Sequence, residues 1–233
     1  SLGTVTFGAD TGGASYKYDE EVPQAYEQTS DAQQNSSNIV GNQNDSNMIV
    51  YNSPSFDLGG VSASIDLEYS PNAASTSAPA NDGGSGTASD DFGSATGAGV
   101  TLGYDALKVG VYAAEIERTT PVAAGSDKVR DMFEGVWYAS YSFGPVAIGY
   151  SESYLDSGAA VAAEAITAVK AVRTAGGIFE GQSMSIAFNV NDNLSLSYTT
   201  TEDTYNAQSN VKGGTEIADV TQETDAIQLA YSM

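Results

Sequence analysis

Along residues 47–71, NMIVYNSPSFDLGGVSASIDLEYSP, apolar and polar positions alternate, break at DLGG, and alternate again. Val61, Ala63, Ile65, Leu67 and Tyr69 share one parity; Ser62, Ser64, Asp66 and Glu68 share the other. A period of two puts each set on one face of a β-strand. The pattern recurs downstream. Met184, Ile186, Phe188 and Val190 oppose Ser185, Ala187 and Asn189, and Leu194, Leu196 and Tyr198 oppose Ser195, Ser197 and Thr199. Near the end, Ile227, Leu229, Tyr231 and Met233 oppose Ala226, Gln228 and Ala230. About ten strand segments follow: 3–10, 47–56, 60–70, 97–106, 107–119, 132–143, 146–157, 182–191, 193–206 and 224–233. Their length matches a tilted membrane strand of roughly 9–11 residues. In 107–119 Val109 and Val111 keep phase but Glu115 falls on the apolar side, which predicts a bulge or the edge of an apolar belt nearby.

The connections alternate in length. Those at 57–60, 105–107, 143–146 and 191–193 are tight, whereas 10–46, 71–96, 119–131, 157–181 and 207–223 are long and rich in Gly, Ser, Ala, Thr, Asn and Asp. Short turns on one rim and long loops on the other are the mark of a transmembrane β-barrel. A soluble sandwich has no reason to keep that order. Phe56, Tyr69, Tyr104, Tyr141, Phe143, Tyr150 and Tyr198 lie toward strand ends, where amphipathic rings suit a membrane–water boundary. The Ala-rich stretch 159–177 predicts a short helix in an outer loop, with Lys170 and Arg173 near its C-terminal end. The expected fold class is therefore all-β, an antiparallel barrel in one domain.

Composition narrows the function. The 233 residues contain no Cys and no His, which removes the usual nucleophile–base pairs, zinc sites and disulfides. Carboxylate pairs are so abundant that none stands out as an acid–base site, so no enzyme activity is expected. Thirty acidic residues against eight basic ones give a formal net charge of −22, which argues against nucleic acid as a partner. No apolar run approaches the ~18 residues of a membrane helix. The chain opens at Ser1 and ends at Met233 in mid-strand, which suggests an internal piece of a longer protein.

The phrase N-x-I-x-Y-x-S-P-x-F, carried by Asn47, Ile49, Tyr51, Ser53, Pro54 and Phe56, resembles the hairpin after the constriction loop of general porins. The likeness is closest to alphaproteobacterial porins, and LGTVTFGADTGG resembles the strand leading into that loop. The wording is recognisable over 1–70 and 182–233. The resemblance implies a 16-stranded outer-membrane barrel, a homotrimer, and one water-filled pore per subunit for ions and small hydrophilic solutes. It implies contact with outer-membrane lipid and lipopolysaccharide. It also implies that the third long loop folds inward; by position this is 10–46. The chain departs from the family at both ends, lacking the first few strands, the last several and the terminal aromatic residue.

On that reading Asp10, Asp19, Glu20, Glu21, Glu27 and Asp31 form the pore constriction, and Ser62, Ser64, Asp66 and Glu68 line the pore. Carboxylates at a narrow point concentrate cations and repel anions, so a cation preference is expected. The run Asp19–Glu20–Glu21 is the densest cluster, with Lys17 its expected ion partner. No cofactor is expected. Calcium is the one candidate, near Asp90 and Asp91 or at 42–47, although neither matches a D-x-D-x-D-G loop. The alternative function is a calcium-stabilised β-rich adhesin or surface-layer binding protein. Such a protein would more often carry tandem repeats or calcium-loop motifs.

Overall fold

In a computed structural model of the chain, the structure describes residues 2–8, 14–18, 21–26, 48–71, 92–118, 131–156, 178–206 and 219–232. The strands are β1 (Thr4–Gly8), β2 (Met48–Asn52), β3 (Phe56–Asp57), β4 (Ser62–Ser70), β5 (Phe92–Tyr104) and β6 (Leu107–Arg118). They continue as β7 (Met132–Phe143), β8 (Val146–Asp156), β9 (Ile178–Asn191), β10 (Leu194–Asn206) and β11 (Val220–Tyr231). A 3-10 turn covers Ala14–Lys17. All the strands belong to one 11-stranded sheet in the order β1-β2-β4-β5-β6-β7-β8-β9-β10-β11, with β3 paired to β4. Every pairing is antiparallel. Among the described residues no helix is long and apolar enough to cross a membrane.

Sequence neighbours are sheet neighbours, so tight turns and long connections fall on opposite edges. Turn chemistry sets the tight edge. The Asp57 Oδ1 accepts from the Gly59 and Gly60 amides at 2.9 and 3.0 Å, and both glycines sit at positive φ, which only a residue without Cβ adopts freely. Asp105, at φ 53°, turns β5 into β6.

Three strands begin earlier than the alternation predicts: β5 at Phe92, β9 at Ile178 and β11 at Val220. The extra residues of β5, FGSAT, are small or polar apart from Phe92. They carry no hydrophobic period, yet their backbones pair like any others. The expected irregularity near Glu115 is close by: β6 pairs β7 without a break, while the β5–β6 ladder shifts register between Phe92 and Ala95, opposite Ile116–Arg118. The helix expected in 159–177 lies outside the described residues.

Candidate functional site

Between β1 and β2, the described residues 14–18 and 21–26 lie across one face of the sheet. We term this the inner face. At the β4 end, the Ala14 amide donates to Glu68 Oε2 at 2.8 Å, and Tyr112 on β6 donates its hydroxyl to Glu68 Oε1. Lys17 Nζ reaches Asp66 Oδ1 at 2.6 Å, shared with Asn52 Nδ2 at 2.6 Å, while the Tyr18 hydroxyl donates to Asp66 Oδ2 at 2.8 Å. Burial pushes the Tyr18 phenol well above its ordinary pKa, so the hydroxyl stays a donor.

Further along, Glu21 Oε2 accepts from Lys108 Nζ at 3.0 Å. The Ala25 amide donates to Ser197 Oγ at 2.9 Å on β10, and the Tyr26 amide to Gln228 Oε1 at 3.2 Å on β11. The described parts of 14–26 thus touch the sheet from β4 to β11.

Packing supports this course. The Tyr18 ring stacks on Tyr112 at 5.4 Å and tilts against Tyr138 at 6.3 Å, within a buried cluster that includes Ala114 and Val136. Gly99 on β5 lets the Tyr18 ring approach the strand, because a Cβ there would overlap the ring. Gly149 on β8 does the same for Pro23. In both places a side chain would lift the segment off the wall.

The two faces have inverted polarity. On β4, Asp66 and Glu68 are 2% and 5% exposed, while the intervening Leu67 and its neighbour Tyr69 are 46% and 45% exposed. On β9, Ser183 and Ser185 are buried and Met184, Ile186 and Phe188 exposed. On β10, Ser197, Thr199 and Thr201 are buried while Leu196 and Tyr198 are exposed. A water-soluble sheet does the reverse.

The structure places each expected site residue as follows. Asp66 and Glu68 anchor the crossing segment, and Glu21 lies over the inner face on Lys108. Ser64 is half-buried; Ser62 is exposed at the tight-turn edge and donates to the Gly103 carbonyl at 3.2 Å. Asp10, Asp19, Glu20, Glu27 and Asp31 lie outside the described residues, as do the calcium candidates Asp90, Asp91 and 42–47. Lys17 is bound to Asp66, and Glu21, the one described residue of the acidic run, is bound to Lys108; the rest of that run lies outside the described residues. Sequence reasoning missed Tyr18, Tyr112 and Tyr138, whose meeting depends on loop docking, and Lys108, a cation on the inner face.

Inverted polarity does not run the whole length of the strands. Toward the long-loop edge Ile116, Met132, Leu155, Phe179 and Tyr205 point inward and are buried, with Phe179 and Tyr205 rings 4.5 Å apart. The outer face there carries Glu115, Glu117, Glu152, Glu180, Glu202 and Glu223. The change runs obliquely to the hydrogen-bonded rows. One row starts apolar at Ile65, passes through Val100, Val111 and Trp137, and ends at Glu152, Gln182, Glu202 and Glu223.

No protein-family model matches the chain, and no curated protein does.

Proposed function

We propose that this chain forms the wall of a water-filled channel through a Gram-negative outer membrane, passing ions and small hydrophilic solutes by diffusion. The outer apolar face meets lipid, the inner polar face meets water, and segment 14–26 narrows the lumen. The observation that carries this reading is the buried Asp66 and Glu68 beside exposed Leu67 and Tyr69. Exposing large apolar groups is costly in water and favourable where the outer solvent is hydrocarbon, while the carboxylates on the other face are compensated by hydrogen bonds from Ala14, Lys17, Tyr18 and Tyr112.

The oblique polarity boundary supports the same reading. The uppermost outward apolar residue is Tyr69 on β4 and Ile227 on β11. Their hydrogen-bonded rows cross β10 at Asn206 and Tyr198, eight residues apart. That is about 26 Å along the strand against about 34 Å across the sheet, a slope of roughly 40°. Strands of membrane barrels tilt by about 35–45°. A level belt of lipid around tilted strands would produce this slant. On β9 the outward apolar residues run from Met184 to Val190, roughly 20 Å along the strand.

Among described inner-face charges, Glu21, Asp66, Glu68, Glu134 and Asp203 outnumber Lys17 and Lys108. This favours cations over anions in the lumen. The test is planar-bilayer conductance across a KCl gradient. Stepwise openings with a reversal potential favouring K⁺ are expected. A folded, membrane-derived sample with no conductance would overturn the channel reading.

A further inference from the structure

On the outer face, at the polarity boundary, β7 and β8 carry a cleft of about 580 Å³. Its floor is small, since Gly135 on β7 stands beside Ala113 on β6. Its walls are the aromatic rings of Phe133, Trp137 and Tyr154, with Phe133 and Tyr154 6.2 Å apart. Its rim is acidic, with Glu152, Glu180 and Glu202 and no Lys or Arg among the lining residues. Glu152 is held in place: Oε2 accepts from Trp137 Nε1–H at 2.9 Å, and Oε1 accepts from the Tyr150 hydroxyl. Both bonds lie at the ring edges, and the Tyr150 ring tilts against Trp137 with centroids 5.4 Å apart, so Trp137 is fixed where it lines the cleft. On the tight-turn side lies a second groove of about 420 Å³, lined by Leu107, Tyr141, Ile148, Met184, Ile186 and Tyr198.

We propose that this pair of cavities is a site for one lipid whose head carries a quaternary ammonium, resting on the reading that the outer face meets lipid. The ammonium sits against the aromatic walls under the glutamate rim, where cation–π attraction and opposite charge act together. One acyl chain lies in the apolar groove. Charge complementarity selects the occupant. An anionic lipid would bring its phosphate onto three glutamates, and a second copy of this chain would set acid against acid. With a quaternary-ammonium head the positive group meets the glutamates, while the phosphate, which links that head to the acyl chains, lies on the groove side of the rim.

Trp137 is the single tryptophan of the chain and lines the cleft, so it reports occupancy directly. The full chain is reconstituted into phosphatidylglycerol vesicles containing a minor fraction of lipid with brominated acyl chains. The brominated lipid is either phosphatidylcholine or phosphatidylglycerol. The quenching that a Trp137→Phe variant lacks is compared between the two. Brominated phosphatidylcholine should quench about threefold more effectively. The Glu180→Gln/Glu202→Gln variant should lose that preference. Asp105→Asn/Asp192→Asn, which removes the same charge at the opposite rim, should keep it. Gly135→Val, which fills the floor under the Phe133 ring, should lose it without altering charge. Equal quenching by both lipids, or a preference surviving in the glutamate and Gly135 variants, would overturn the site while leaving lipid contact intact. No quenching by either would remove the lipid-facing reading itself.

Discussion

Lys17 Nζ lies 2.6 Å from Asp66 Oδ1, tying the segment after β1 to the inner face of β4 across 49 positions of sequence. The pair is unequal, because Lys17 is half exposed and Asp66 buried. An ion pair open to water on one side contributes about 1 kcal/mol or less. The larger effect comes from Tyr18 and Asn52, which donate to the same carboxylate. Asp66→Ala should therefore destabilise the fold by about 2–3 kcal/mol, and Lys17→Met by about 1 kcal/mol or less. Urea unfolding of the two variants separates these outcomes.

The close approach at Gly99 gives a second prediction. Gly99→Val would drive a side chain into the Tyr18 ring and displace the 3-10 turn from the wall. On the proposed channel reading single-channel conductance should rise, because the segment proposed to narrow the lumen loses its seat. Gly149→Val should act likewise through Pro23. Conductance unchanged in both variants would show that 14–26 does not limit flow.

Selectivity should respond to the Glu21–Lys108 pair, at 3.0 Å. Lys108→Gln removes an inner-face cation and should shift the KCl reversal potential further toward K⁺. Glu21→Gln should shift it the other way. Both shifts should shrink at high salt, where the Debye length falls to about 3 Å at 1 M. The reversal potentials at two salt concentrations provide the check.

Much of the sheet is legible in the chain, and the gaps have physical causes. Strand β9 reads plainly because Met184, Ile186 and Phe188 alternate with serines and alanine. The start of β5 does not, because FGSAT has no apolar period. Glu115 looked like a fault in the pattern. In the structure it keeps phase on the outer face, next to inward Ile116, and marks where the pattern reverses. A period of two gives the parity of each residue but not which solvent lies on either side. The site was legible only in part. Asp66 and Glu68 were expected to line the pore, but their anchoring role depends on contacts with Lys17, Tyr18, Ala14 and Tyr112 far away in sequence.

The belt predicts where charge is tolerated. Ile186→Lys, in the middle of the outer apolar face of β9, should cost about 2–4 kcal/mol in folding into bilayers. Glu202→Lys, beyond the boundary on β10, should cost about 1 kcal/mol or less. Fraction folded in vesicles against denaturant gives both values. Equal costs would argue against the boundary.

The central claim is that the outer face meets lipid and the inner face meets water. It is tested most directly with nitroxide labels on single cysteines placed at 183–188, since the chain has no native cysteine. Relaxation by oxygen and by a water-soluble nickel complex is measured for each label in vesicles. Labels at 184, 186 and 188 should be relaxed most by oxygen, and those at 183, 185 and 187 should respond more to nickel. The opposite phase, or no alternation between the two relaxants, would contradict the claim.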